Sequence, residues 1–294
     1  MRIQLEMHLQ QGNHLVADGA MGSMLQDMGL PAGTPPEIWN LEHPEEVASV
    51  HRAYVEAGAE VILTNTLGGT RLRLDHLGDL GARVAELNEA GARVARRAAD
   101  GRAFVAGDVG PIGELMAPLG ELQYTDAVNS YSEQARILAD SGVDLIWIET
   151  MNDLQEAQAA IEGARHATDL PIFCSFSFTR RSRTIMGVTP EQVARTLWPL
   201  GLAAVGANCG EGVEHIPGVL QAMKKAQPEA ILIAKPNAGI PHLEAGRTVF
   251  DLGPDDLAAY APRFVEAGAQ IIGACCGSTP AHISAIAAAI GNQR

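Results

Sequence analysis

A closed eight-stranded α/β barrel is the fold this sequence predicts. Eight short apolar runs, rich in β-branched residues, alternate with longer Ala-, Glu- and Arg-rich helical segments. Several helix-to-strand junctions nearly repeat one another. No Gly-x-Gly-x-x-Gly follows the first strand, where a doubly wound sheet of the dinucleotide-binding kind would carry it.

In chain order the apolar runs predict strands near Leu15–Asp18, Val61–Asn65, Phe104–Asp108, Leu145–Glu149, Ile172–Ser175, Ala204–Asn208, Ile231–Lys235 and Gln270–Ala274. Runs this short and this apolar fit strands buried on both faces, as parallel strands are. Helices are predicted near Pro44–Ala57, Arg71–Ala99, Asp126–Ala139, Leu154–Ala167, Pro190–Leu200, Val213–Ala226, Pro254–Ala267 and Pro280–Ile290. The junction Val55-Glu56-Ala57-Gly58-Ala59-Glu60-Val61-Ile62 nearly returns as Val265-Glu266-Ala267-Gly268-Ala269-Gln270-Ile271-Ile272, and Ala139–Ile146 is a looser copy. Each puts a glycine where a helix stops in the left-handed region before a strand begins. Repeated units of this kind favour a (β/α)8 TIM barrel over an open sheet. No linker rich in Pro, Ser or charge divides residues 1–294, which therefore read as one barrel domain, with 1–13 an N-terminal extension capping the bottom of the barrel.

Composition narrows the function. The chain has 294 residues and a formal net charge of −14, which disfavours a nucleic-acid partner because phosphates need basic surfaces. No stretch approaches the ~20 apolar residues of a membrane span. The start, Met1-Arg2-Ile3-Gln4-Leu5-Glu6, lacks a long apolar signal segment, so the expected location is the cytoplasm. There, four cysteines serve metal or catalytic chemistry more readily than disulfides.

In such barrels chemistry sits at the C-terminal ends of the strands. Cys209 ends the sixth run and the pair Cys275-Cys276 ends the eighth. Three thiolates suit a soft-ligand cation such as zinc, and three protein ligands leave a fourth tetrahedral position for a substrate thiol. Neighbouring strand residues face opposite ways, so Cys275 and Cys276 reach one ion only if the chain bends, which Gly273 and Gly277 permit. A vicinal disulfide suited to redox sensing, or two unrelated buried thiols, are the alternatives. Cys174, inside Ile172-Phe173-Cys174-Ser175, reads as core. Asp18 and Glu149 end apolar runs. Each either makes a structural hydrogen bond or, with the other, binds an ammonium, while Gly19 to Ser23 offer backbone N–H groups to a carboxylate. Arg180, Arg181 and Arg183 form either a solvated surface run or a contact for an anionic donor or an acidic partner. His242 lies near the seventh strand's loop and, as a lone histidine, is not expected to be a ligand.

Asp18-Gly19-Ala20-Met21-Gly22, Thr64-Asn65-Thr66, Glu149-Thr150, Asn208-Cys209-Gly210, Lys235-Pro236-Asn237-Ala238-Gly239 and Cys275-Cys276-Gly277-Ser278-Thr279-Pro280 together resemble the homocysteine S-methyltransferase family, from about Leu15 to Ile290. Within it the likeness is to the homocysteine-binding barrel of cobalamin-dependent methionine synthases. The resemblance implies a zinc barrel with Cys209, Cys275 and Cys276 as ligands. It implies that Glu149 holds the homocysteine amino group, that Asp18 and Gly19 make the first strand's substrate contacts, and that Asn237 stands close to the metal. Ala274 and Ser278 are mild departures from the family pattern; Leu67 stands where an aromatic residue is common. The expected chemistry is attack of a zinc-activated homocysteine thiolate on a donor methyl group, giving methionine without a protein nucleophile. No corrinoid or folate module is expected after Ile290, so methylcobalamin would arrive in trans, free or on a separate corrinoid protein. The rivals are a betaine- or S-methylmethionine-dependent enzyme on the same site, and a non-catalytic metal-thiolate or redox-sensing barrel.

Overall fold

The structure is a computed structural model that describes Leu5, Leu9 and residues 11–244 and 247–291. The expected N-terminal extension, residues 1–13, thus lies partly outside the described residues. Ten strands occur among them: β1 (Leu15–Val16), β2 (Val61–Leu63), β3 (Phe104–Val109), β4 (Leu145–Met151), β5 (Ile172–Phe176), β6 (Ala204–Cys209), β7 (Leu232–Pro236), β8 (His242–Glu244), β9 (Arg247–Val249) and β10 (Ala269–Ile272). Eight form one parallel sheet in the order β1-β10-β7-β6-β5-β4-β3-β2. Its two ends meet: Ala17 bridges Val61 in parallel, Asp18 N donates to Val61 O (2.9 Å), and Glu60 N donates to Val16 O (2.7 Å). The predicted (β/α)8 barrel is therefore present. β8 and β9 are an antiparallel hairpin outside it, which the sequence did not announce.

Alternation along the strands divides the core. Leu15 and Ala17, Val61 and Leu63, Leu145 and Trp147, Ala106, Phe173, Ala204, Ile233 and Ile271 form an inner cluster, and Leu5 and Leu9 pack into it. The intervening residues Val16, Ile62, Val105, Ile146, Ile148, Cys174, Val205, Leu232 and Ile272 join the larger cluster shared with the helices. This separation follows from the two-residue period of a strand. Cys174 is fully buried in that outer layer, as expected.

The junction glycines behave as predicted: Gly58, Gly142 and Gly268 have φ of +101°, +84° and +97°. Several helices are shorter than the sequence suggests. The segment Arg71–Ala99 is a helix Arg71–Asp75, a 3₁₀ turn Asp79–Arg83 and a helix Val84–Ala99, broken at Gly78 (φ +97°). The helix from Pro190 ends at Leu197 and tightens into a 3₁₀ turn at Trp198–Leu200, where Pro199 has no N–H to continue it. Pro254–Ala267 splits into Pro254–Ala258 and Ala261–Glu266, with Pro262 in the first turn of the second piece. Proline is tolerated there and not in a helix interior. The helix expected from Val213 begins at Ile216 with Pro217 in its first turn.

Candidate metal and substrate site

The inner register leads directly to the site. Stepping along each strand in twos from the inner apolar layer reaches Asp108 from Ala106, Glu149 from Trp147, Ser175 from Phe173, Asn208 from Ala204, Lys235 from Ile233 and Cys275 from Ile271. The layer above the apolar plug is thus polar, and it sits at the C-terminal end of the barrel. A cavity of about 520 Å³ opens there; Asp18, Asp108, Glu149, Lys235, Cys209, Cys275 and Cys276 are among its lining residues.

The three predicted cysteines come together. Their sulfurs all lie within 4.8 Å of one another; Cys209 Sγ and Cys275 Sγ are 3.9 and 4.0 Å from Cys276 Sγ. Tetrahedral zinc with Zn–S bonds of ~2.3 Å places its sulfurs roughly 3.8 Å apart, so this donor set fits that ion. Cys209 reaches the cluster because its own backbone is left-handed (φ +54°), which turns it out of the β6 register. The bend at Cys275-Cys276 is real. Cys275 N still donates to Pro236 O (2.8 Å), Cys276 O accepts from Ala238 N (3.0 Å), and Gly277 then takes φ +78°. Gly273 serves closeness rather than the bend: a Cβ there would lie 2.8 Å from the carbonyl oxygens of Ala17 and Asp18. Hydrogen bonding within the trio, first from Cys209 and then from Cys275, draws the Cys276 thiol well down, whereas hydrogen bonds to Cys275 and Cys276 push Cys209 up.

Asn208 organises the shell behind the sulfurs. Its Oδ1 accepts from Thr150 N (2.8 Å) and Ser175 Oγ (2.8 Å), and its Nδ2 donates to Thr150 Oγ1 (2.7 Å). The same Nδ2 lies 4.0 Å from Cys275 Sγ, and Thr150 Oγ1 lies 4.0 Å from Cys209 Sγ. Thr150 is left-handed (φ +63°) where β4 shifts register against β5 between Ile148 and Met151. The extra residue bulges, and its N–H finds Asn208 instead of the sheet ladder.

Asp18 and Glu149 both face the cavity, with Lys235 between them. Lys235 Nζ is 3.1 Å from Asp18 Oδ1 and 3.6 Å from Glu149 Oε2, and 5.0 Å from the centroid of the Trp147 ring. Burial pulls the lysine down, but the charges of Asp18 and Glu149 outweigh it and hold Lys235 protonated. Asp18 uses its second oxygen to accept from Leu63 N (2.7 Å). Burial raises the Glu149 carboxyl to about 7, against the pull of Lys235. The sequence alone assigns no role to Lys235 or Asp108. A lysine and an aspartate closing otherwise apolar strands were the available signal.

Gly19 lines the cavity where any side chain would collide with Ser278 Oγ (2.5 Å) and the Tyr54 hydroxyl (2.8 Å). Of the neighbouring N–H groups, that of Ala20 is already bonded to Ser278 Oγ (3.0 Å). Asn237 donates to Gly210 O (2.9 Å), and its buried Oδ1 has no hydrogen-bond partner among the described residues. Leu67 lines the cavity. Arg180, Arg181 and Arg183 are exposed beyond β5 and are not among the cavity-lining residues; Arg183 Nη1 bonds Gly187 O (2.9 Å). His242 lies on the hairpin, exposed, and is not part of the sulfur cluster.

The likeness to known proteins agrees with this geometry. The family model described as homocysteine S-methyltransferase matches residues 15–290. Methionine synthase of Mycobacterium leprae (strain TN) is 33% identical over 296 residues, covering 94% of this chain and 24% of the relative. Methionine synthase of Mycobacterium tuberculosis (strain ATCC 25618 / H37Rv) is 33% identical over 298 residues, covering 95% and 25%. The chain therefore spans about a quarter of the length of these curated relatives. Among solved structures, the metallated form of the homocysteine methyltransferase MmuM from Escherichia coli superposes with a TM-score of 0.79 at 26% identity, covering 97% of this chain and 99% of that one. Its oxidised form gives 0.76 at the same identity, covering 94% and 95%. With the family's pattern matched from β1 to the last helix, the chain belongs to the homocysteine S-methyltransferase family.

Proposed function

We propose that this barrel, acting in the cytoplasm as a single domain, methylates the sulfur of homocysteine to form methionine. The observation that carries the reading is the convergence of three sulfurs on a cavity whose adjoining wall holds buried carboxylates. Cys209, Cys275 and Cys276 would hold zinc, which when bound keeps a thiol ionised, and hence nucleophilic, at neutral pH. Asn208 and Thr150 fix the orientation of the cysteine side chains. Glu149, with Asp18 and Gly19 on the same wall, would receive the amino-acid head of the substrate, and Asn237, which donates to Gly210 O next to Cys209, would stand close to the metal. The substrate sulfur then attacks the donor's methyl carbon. The S–CH3 bond forms as the donor's bond to that carbon breaks, and the donor leaves with the electron pair.

For the donor we propose methylcobalamin presented in trans, free or on a separate corrinoid protein. No aromatic side chain lines the cavity among the described residues, so the usual cation–π recognition of a quaternary ammonium such as betaine is missing. A corrinoid is too large for a cavity of about 520 Å³ and would offer its methyl group at the mouth. The test is mass-spectrometric detection of methionine from homocysteine with methylcobalamin, betaine or S-methylmethionine. Turnover with methylcobalamin is expected. Turnover with betaine alone would overturn the donor, and none with any donor would overturn the activity.

A further inference from the structure

The loop that follows β1 and the turn that carries two of the sulfurs are built as one unit, with Ser278 at the junction. Ser278 is buried, and its Oγ accepts from Ala20 N (3.0 Å) and donates to Cys275 O (2.8 Å). Its own N–H reaches the same carbonyl (3.1 Å) and so closes the turn 275–278. One hydroxyl therefore holds Ala20 on one side and Cys275 on the other. Two further bonds run in parallel: Ala274 N donates to Asp18 O (3.1 Å), and Gly277 N donates to Ser23 Oγ (3.3 Å). Beneath them the buried Tyr54 hydroxyl donates to Ala20 O (2.7 Å) and lies 3.2 Å from Ser278 O.

Both sides of this junction face the same cavity. Gly19, Ala20 and Met21 line it on one side, and Cys275 and Cys276 line it on the other. Ser278 is not among the lining residues, so it acts on the site only through Ala20 and Cys275. The fit is tight, because a Cβ on Gly19 would lie 2.5 Å from Ser278 Oγ. Removing the hydroxyl would leave the buried Ala20 N–H without its acceptor and free the two segments from each other.

Resting on the homocysteine reading above, we infer that Ser278 is a positioning residue that links metal binding to recognition of the substrate's amino-acid head. Zinc on the sulfurs fixes the turn 275–278. Through Ser278 the loop 19–23 is fixed with it, so the head meets a loop that is already ordered and binds more tightly. The link is reciprocal. An amino acid without a sulfur must tighten zinc by the same factor by which zinc tightens that amino acid. A role confined to closing its own turn would give Ser278 no such reciprocity.

The test uses L-2-aminobutanoate, which has the head of homocysteine and no thiol, so no bond to the metal contributes. Calorimetry measures its binding to the zinc-loaded and the reduced zinc-free protein. Competition with a chromophoric chelator measures zinc affinity with and without it. In wild type both comparisons should show the same factor, about fivefold or more. In Ser278→Ala the factor should vanish, although the thiols and carboxylates are untouched, and Ser278→Thr, which keeps the hydroxyl, should restore it. Tyr54→Phe, which frees Ala20 O, should lower the factor too and serves should the alanine variant fold poorly. An unchanged zinc affinity with the analogue in wild type, or an undiminished factor in both Ser278→Ala and Tyr54→Phe, would overturn the inference. Absence of homocysteine binding by the zinc-loaded wild type would instead overturn the functional reading.

Discussion

Lys235 Nζ lies 3.1 Å from Asp18 Oδ1, and both side chains are almost wholly buried. The pair joins β7 to the end of β1 across the barrel mouth, between positions 217 apart in sequence. A lone charge at that depth would be far more costly than the pair, so each residue depends on the other.

Lys235→Met should therefore destabilise the fold by about 3–5 kcal/mol, the range found when one member of a buried pair is removed. Adding Asp18→Asn to it should cost less than the sum of the two single changes. Urea denaturation of the four proteins measures the coupling. Simple additivity would show that the two groups do not depend on each other.

Replacing Cys209, Cys275 or Cys276 with alanine should abolish stoichiometric zinc, because each supplies one of three sulfurs. Cys174→Ala should keep the metal, since that thiol is buried in the outer layer. Elemental analysis of the purified proteins checks this, and full zinc occupancy in the triple variant would contradict the assignment.

Asn208→Ala removes the hydrogen bonds that fix Thr150 and Ser175 behind the sulfurs. Losses of this kind typically weaken metal binding by roughly 10–100-fold. Competition with a chromophoric chelator measures it. Unaltered zinc affinity would show that the cysteines are oriented without Asn208.

These residues mark the limit of what the sequence made legible. Strand positions followed from apolar runs, and Gly58, Gly142 and Gly268 marked the junctions, because both signals are local. The convergence of the three cysteines was legible because few chemistries other than metal binding need thiols at two strand ends. Two left-handed residues, Thr150 and Cys209, were not legible, since neither is glycine and tertiary bonds hold both. The pairing of Lys235 was hidden for a related reason. Residue types alone do not reveal that Lys235 stands between Asp18 and Glu149, while Asp108 Oδ1 has no hydrogen bond among the described residues.

A pH effect is expected away from the site. His51, on the helix Pro44–Glu56, is fully buried with neither ring nitrogen hydrogen-bonded among the described residues. Burial, and then the charge of Arg52, lowers it to about 3. The folded protein thus keeps His51 neutral while the unfolded chain protonates it near its ordinary value. Its contribution to stability is complete above that value and is lost as pH falls from ~6.5 towards 3, at about 1.4 kcal/mol per pH unit. Between pH 7 and 5, His51→Leu should lose stability less steeply than wild type in urea denaturation. Equal slopes would contradict the assignment.

If three cysteine sulfurs hold zinc, the substrate's own sulfur should join them as the fourth ligand. Zinc K-edge X-ray absorption tests it most directly, recorded on the purified protein before and after adding L-homocysteine. Three sulfur neighbours are expected without substrate and four with it, at the ~2.3 Å distance of zinc–thiolate bonds. Three sulfurs in both states would contradict it.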